Sequence, residues 1–85
     1  PSIQLFPNPS DGNFMLQLEL QSAISENATI EVLNLMGQLV HKKEIPVIEG
    51  KLTTQIFINQ LLTKGVYVLR VTMSNNSYVE ELICQ

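Results

Sequence analysis

The chain has no tryptophan, one cysteine and one histidine, and each shortage closes off a class of function. The single cysteine, Cys84, cannot form an intrachain disulfide, so no cysteine framework staples the fold and the redox compartment cannot be read from it. Zinc sites draw several Cys and His side chains from close spacing, and Cys84 and His41 are the whole supply. A calcium site would have to be built from Asn8, Ser10 and Asp11 in one Pro-rich turn, and turn chemistry alone accounts for those residues. With only Tyr67 and Tyr78 beside the missing tryptophans, an aromatic platform for sugars is poorly supplied. Basic residues are scarce too: Lys42, Lys43, Lys51, Lys64 and Arg70 stand against eight acidic ones, for a net charge of −3. A nucleic-acid surface needs clustered cations to neutralise phosphates. No apolar run approaches the ~20 residues with which a helix spans a bilayer, so direct membrane insertion is not expected.

Catalytic groupings are equally thin. A nucleophile needs a base within reach, and His41 is the one histidine available. Ser10, Ser22 and Ser25 lie in turns or loops without a G-x-S-x-G elbow around them. A Cys84–His41 pair would lack a third member, and Glu80 and Glu81, adjacent on a strand, point to opposite faces. Gly12, Gly37, Gly50 and Gly65 are isolated, so no phosphate-cradling loop is formed. The chain is therefore read as non-catalytic, with no cofactor and no metal. Cys84 is read as a small buried hydrophobe and His41 as a solvated side chain on an edge strand.

What is present is alternation. The 85 residues, 45% hydrophobic and 15% charged, suit one folded domain with a thin stability margin. Short hydrophobic runs are separated by turn signals every 8–14 residues, the pattern of a β-sandwich or barrel. Residues 3–6 open as a strand stopped by Pro7 and Pro9, and Asp11-Gly12 turns the chain. Phe14, Leu16, Leu18 and Leu20 then mark one face of a second strand. Residues 22–27 read as a loop, and Ala28, Ile30 and Val32 as the next inward row. Asn34 to Gly37 form a hairpin connection, with the Asn side chain bonding the backbone ahead. The returning strand, 38–45, carries Leu39, His41, Lys43 and Ile45 on one face, and its lysines suggest a sheet edge. Pro46 and Gly50 bracket a loop before Leu52, Thr54, Ile56 and Ile58 alternate. After a turn at Asn59 and Gly65, Tyr67 stands near a strand start, where sandwich domains place a tyrosine whose hydroxyl latches a corner. Asn75-Asn76 turns into a final strand, 78–84. The expectation is all-β: a seven-stranded antiparallel Ig-like or fibronectin-like β-sandwich.

Three blocks carry a family likeness. Residues 5–14, Leu-Phe-Pro-Asn-Pro-Ser-Asp-Gly-Asn-Phe, are similar to the opening signature YPNP-x-x-G-x-F of the C-terminal sorting domains (type A) found on cargo proteins of the type IX secretion system of Bacteroidota. Residues 30–40 resemble that family's I-x-V-x-N-x-x-G-Q-x-V segment, and residues 61–71 with 78–85 resemble its L-x-x-G-x-Y-x-V-x-V and terminal strand. Two positions depart: Phe6 stands where tyrosine is usual, and Glu81 where a lysine commonly precedes the last hydrophobic run.

The resemblance implies a cleavable address at the C-terminal end of a larger secreted protein, residues 1–85 being a single domain excised from it. Such a domain steers its cargo from the periplasm through the outer-membrane translocon and is removed by a sortase-like surface protease. The cargo is then left at the cell surface or released. The motif residues it implies as recognition determinants are Pro7, Asn8, Pro9, Gly12, Gly37, Gln38, Gly65, Tyr67, Leu82, Ile83, Cys84 and Gln85. A terminal strand at a sheet edge would offer backbone groups for strand addition by a receptor, or for an edge-strand dimer. The rival reading from composition is an Ig-like or fibronectin-like adhesion or spacer module of a surface protein. A carbohydrate-binding module stands third and an enzyme last.

Overall fold

A computed structural model describes residues 1–58 and 63–85. Its strands are β1 (Ser2–Phe6), β2 (Asn13–Glu19), β3 (Glu26–Asn34), β4 (Leu39–Val47), β5 (Lys51–Phe57), β6 (Gly65–Thr72) and β7 (Ser77–Cys84). They form two antiparallel sheets, β1-β2-β5 and β4-β3-β6-β7. In a constant-type immunoglobulin sandwich the fourth strand joins the first sheet. Here β4 pairs with β3, giving three strands on four and bearing out the all-β sandwich expected from the sequence.

Alternation builds the core. Phe14, Leu16 and Leu18 of β2 and Leu52 and Ile56 of β5 face inward from one sheet. Ala28, Ile30 and Val32 of β3, Leu69 and Val71 of β6 and Leu82 of β7 meet them from the other. Burying such side chains contributes about 1.5–3 kcal/mol each relative to exposure. The outer face of the larger sheet is polar at its middle, where the Arg70 guanidinium Nη2 lies 2.8 Å from Glu31 Oε1.

Four expectations need correction. β3 begins at Glu26, inside the presumed 22–27 loop, because Glu26 and Asn27 pair with Val47 and Pro46. β4 accordingly runs past the expected Ile45 to Val47 and includes Pro46. A proline is tolerated there because β4 lies at a sheet edge and its missing N–H breaks no ladder. The β3–β4 register skips Val40, so Val32 faces His41 but Leu33 faces Leu39. That bulge turns Leu39 to the opposite face from His41, and Leu39 is exposed. His41 itself is half-buried, not solvated, and its Nε2 is enclosed without a hydrogen-bond partner among the described residues. The turn at Asn59 and the Leu61-Leu62 start of the third motif lie outside the described residues.

Candidate recognition pole

Strand register gathers the three motifs at one end of the sandwich. Asn34 lies opposite Tyr67 on β6, and Gly65 opposite Cys84 on β7. Ser10 bridges to Cys84, and the Gly12 C=O accepts the Ile58 N–H at 2.9 Å. The β3–β4 hairpin tip, the start of β6, the end of β7 and the turn after β1 therefore share a pole.

The turn after β1 is fastened along the outer edge of β7. The chain leaves β1 through cis peptide bonds at Phe6–Pro7 and Asn8–Pro9. The Asn8 carboxamide then works as a surrogate peptide group: its Oδ1 accepts the Ile83 N–H at 2.9 Å and its Nδ2 donates to the Glu81 C=O at 2.9 Å. Two backbone bonds continue this short ladder. The Ser10 N–H donates to the Ile83 C=O at 2.9 Å, and the Gln85 N–H to the Ser10 C=O at 3.0 Å. Ser10 is the buried polar residue here, and its Oγ accepts the Gly12 N–H at 2.8 Å. Asp11 Oδ1 accepts the Asn13 N–H at 3.1 Å, which sets the turn into β2.

This fastening corrects the expected open edge. β7 is the edge strand of its sheet, but the Glu81 C=O, the Ile83 N–H and C=O and the Gln85 N–H on its outward side are taken up by Asn8 and Ser10. Outward and inward pairs alternate along an antiparallel strand, so the next outward-facing residue is Val79, which is exposed.

The second motif is organised by another asparagine. Asn34 Oδ1 accepts the N–H groups of Met36 and Gln38, both at 2.9 Å. Its Nδ2 donates to Gln38 Oε1 at 2.8 Å, and the Gly37 N–H closes the turn on the Asn34 C=O at 3.0 Å. The tip holds Leu35 and Met36 out to solvent, 71% and 81% exposed. Beside it a groove of about 320 Å3 opens between residues 34–36 and 63–67. Tyr67, buried in its wall, donates its hydroxyl to the Thr63 C=O at 2.8 Å, the corner latch expected from the sequence.

Leu82 and Cys84 are buried core members and Ile83 lies between them on the outer face. Burial, then the nearby Asp11 carboxylate, raise the Cys84 thiol above its ordinary value, which leaves it protonated and unreactive. Pro7, Asn8, Pro9, Gly37, Gln38, Gly65 and Gln85 are exposed. The structure brings the third motif into direct contact with both others, the first along β7 and the second along β6, while the first and second meet only through it. Sequence reasoning missed Ser10, because a serine between Pro9 and Asp11 looks like an exposed turn residue. The carboxamide pairing of Asn34 with Gln38 had a signal available in their hairpin spacing. No group of three or more His, Cys, Asp or Glu side chains converges to hold a metal among the described residues.

Comparison with known families matches residues 4–85 to the Secretion system C-terminal sorting domain. No curated protein matches the chain.

Proposed function

Because the chain belongs to the family of secretion system C-terminal sorting domains, we propose that the motif-bearing pole is the surface by which the type IX machinery reads it. The domain is a type IX sorting signal, and it marks its protein for export across the outer membrane to the cell surface or the medium. The family is a non-catalytic cargo tag, so the partners in this work are proteins of the secretion system.

Residues 1–85 act as one domain appended to a larger secreted protein. The outer-membrane translocon engages the pole that Pro7, Asn8, Pro9, Gly12, Gly37, Gln38, Gly65, Tyr67 and residues 82–85 build, its buried members shaping the surface that the exposed ones present. A sortase-like surface protease then cuts the peptide bond joining cargo to domain. The cargo's carbonyl passes either to water, which frees it, or to a surface lipopolysaccharide, which anchors it. A second copy of the chain would have the Ser77–Val79 stretch of β7 as its pairing edge. The observation that carries this reading is the convergence of the motifs, up to 75 residues apart, on one end of the fold.

The test is a fusion of residues 1–85 to the C-terminus of a periplasm-directed fluorescent protein in a type IX-competent bacterium. Fluorescence at the surface or in the medium, lost in a translocon-deficient strain, is the expected result. Reporter trapped in the periplasm while another sorting domain exports it would favour the adhesion or spacer module.

A further inference from the structure

We infer that Asn8 is a positioning residue for sorting, acting through β7: it holds residues 81–85 in the closed, edge-capped form that the secretion machinery recognises. This rests on the proposed role of the pole. The terminal strand is the sheet's edge, yet four of the backbone groups that strand addition would use are engaged by the turn after β1. The Ile83 N–H and the Glu81 C=O go to Asn8, and the Ile83 C=O and the Gln85 N–H go to Ser10. A receptor strand added along residues 81–85 would have to break four bonds to make its own, so little would be gained by the exchange. What the closed form leaves accessible is its surface: the exposed Pro7, Pro9 and Gln85 side chains and the partly exposed Ile83. Asn8 spends both ends of its carboxamide on β7, so its contribution to recognition is the placement of that strand.

The fold supplies a covalent substitute for the asparagine. Ser10 and Cys84 are bridge partners on neighbouring parallel segments, and both are buried. Neighbouring strands lie about 4.7–4.9 Å apart, within the Cα separation of about 4.4–6.8 Å that a disulfide spans. Ser10→Cys therefore provides a thiol positioned to lock the turn to β7 through the native Cys84.

Three variants in the reporter fusion decide the matter: Asn8→Ala, Ser10→Cys, and the two combined. Disulfide formation is checked by mass, and folding of each isolated chain by thermal melting. Asn8→Ala is expected to melt cooperatively, to speed amide exchange at Ile83 by about tenfold, the worth of roughly one net hydrogen bond, and to lose export. The oxidised Ser10→Cys chain should export like the parent, and the oxidised double variant should recover export. Parental export by Asn8→Ala overturns the inference. So does loss of export on oxidation of Ser10→Cys, which would mean the strand must be peeled open. Failure of the locked double variant, with Ser10→Cys alone exporting, would mean a partner contacts Asn8 directly and also overturns it. If the parent fusion itself is not exported, the proposed function fails; unchanged Ile83 exchange in Asn8→Ala sinks the positioning role independently.

Discussion

Replacing Gly50 by alanine should cost the domain far more than the same change at Gly37, although both glycines have positive φ, 76° and 83°. Gly50 closes the tight connection between β4 and β5. Its N–H donates to the Ile24 C=O at 2.8 Å and its C=O accepts the Leu20 N–H at 2.7 Å. The hairpin is thereby tied to the β2–β3 crossover, and a Cβ at Gly50 would run into the Ser22 backbone carbonyl. Around Gly37 no atom of the described residues comes within 4 Å of the equivalent position. A left-handed alanine costs about 1–2 kcal/mol at either site, and overpacking against fixed backbone adds roughly 1–3 kcal/mol at Gly50 alone. Gly50→Ala should therefore lose about 2–5 kcal/mol and Gly37→Ala about 1–2. The domain as a whole holds roughly 4–13 kcal/mol at the usual stability per residue. Urea unfolding followed by circular dichroism measures both, since no tryptophan is present to report by fluorescence. For a domain of this size each kcal/mol lowers Tm by about 4–8 °C. Equal losses at the two glycines would refute the reasoning, because the hairpin would then be yielding freely away from Ser22.

Tyr67→Phe removes the corner hydroxyl but leaves the ring in the core, and Thr63 is exposed enough for water to replace the bond. The expected loss is about 0.5–1.5 kcal/mol, read in the same urea titration. His41 gives the domain a pH dependence: burial, then the nearby Lys43, hold its imidazole below the ordinary value of 6.5. The unfolded chain therefore takes up the proton first, so stability is complete above about 6.5 and falls as the pH drops through the lowered value. Tm measured from pH 7.5 down to 5 should show this decline, and His41→Gln should flatten it. Cys84, buried and with its thiol pushed up, should resist alkylation by iodoacetamide in native buffer and react promptly in urea.

How much of this was legible in the sequence varied with the physics of each strand. Strands β2, β3 and β5 each bury one face and wet the other, so period-2 alternation marked Phe14, Leu16, Ala28, Ile30, Leu52 and Ile56 as core. Strand β4 defeated the same rule. A register skip at Val40 puts Leu39 out of phase with His41, and a bulge leaves no trace in hydrophobicity. Pro46 read as a stop because proline breaks ladders, yet an edge position tolerates it. The Tyr67 latch was visible because it is local, tyrosine and acceptor lying four residues apart. The fastening of β7 was not, since Asn8 and Ile83 are 75 residues apart and an Asn between two prolines reads as a turn former. The motif residues were found from their likeness to a family, but their meeting at one pole follows only from strand register.

The direction of β1 has a mechanical consequence. Ser2 pairs with Glu19 and Phe6 with Met15, so the chain enters at the far end and runs toward the motif-bearing pole. A nine-residue strand such as β3 spans about 30 Å, a length that among extents of 37, 22 and 19 Å only the longest accommodates. On the proposed reading, cargo joined ahead of Pro1 would hang from one end of that axis with the label at the other, like a tow-bar. The domain would thus keep its load a full body length behind the surface proposed to be read, clear of the bulk of the cargo. In that arrangement one label would serve cargos of very different size and shape without being rebuilt for each.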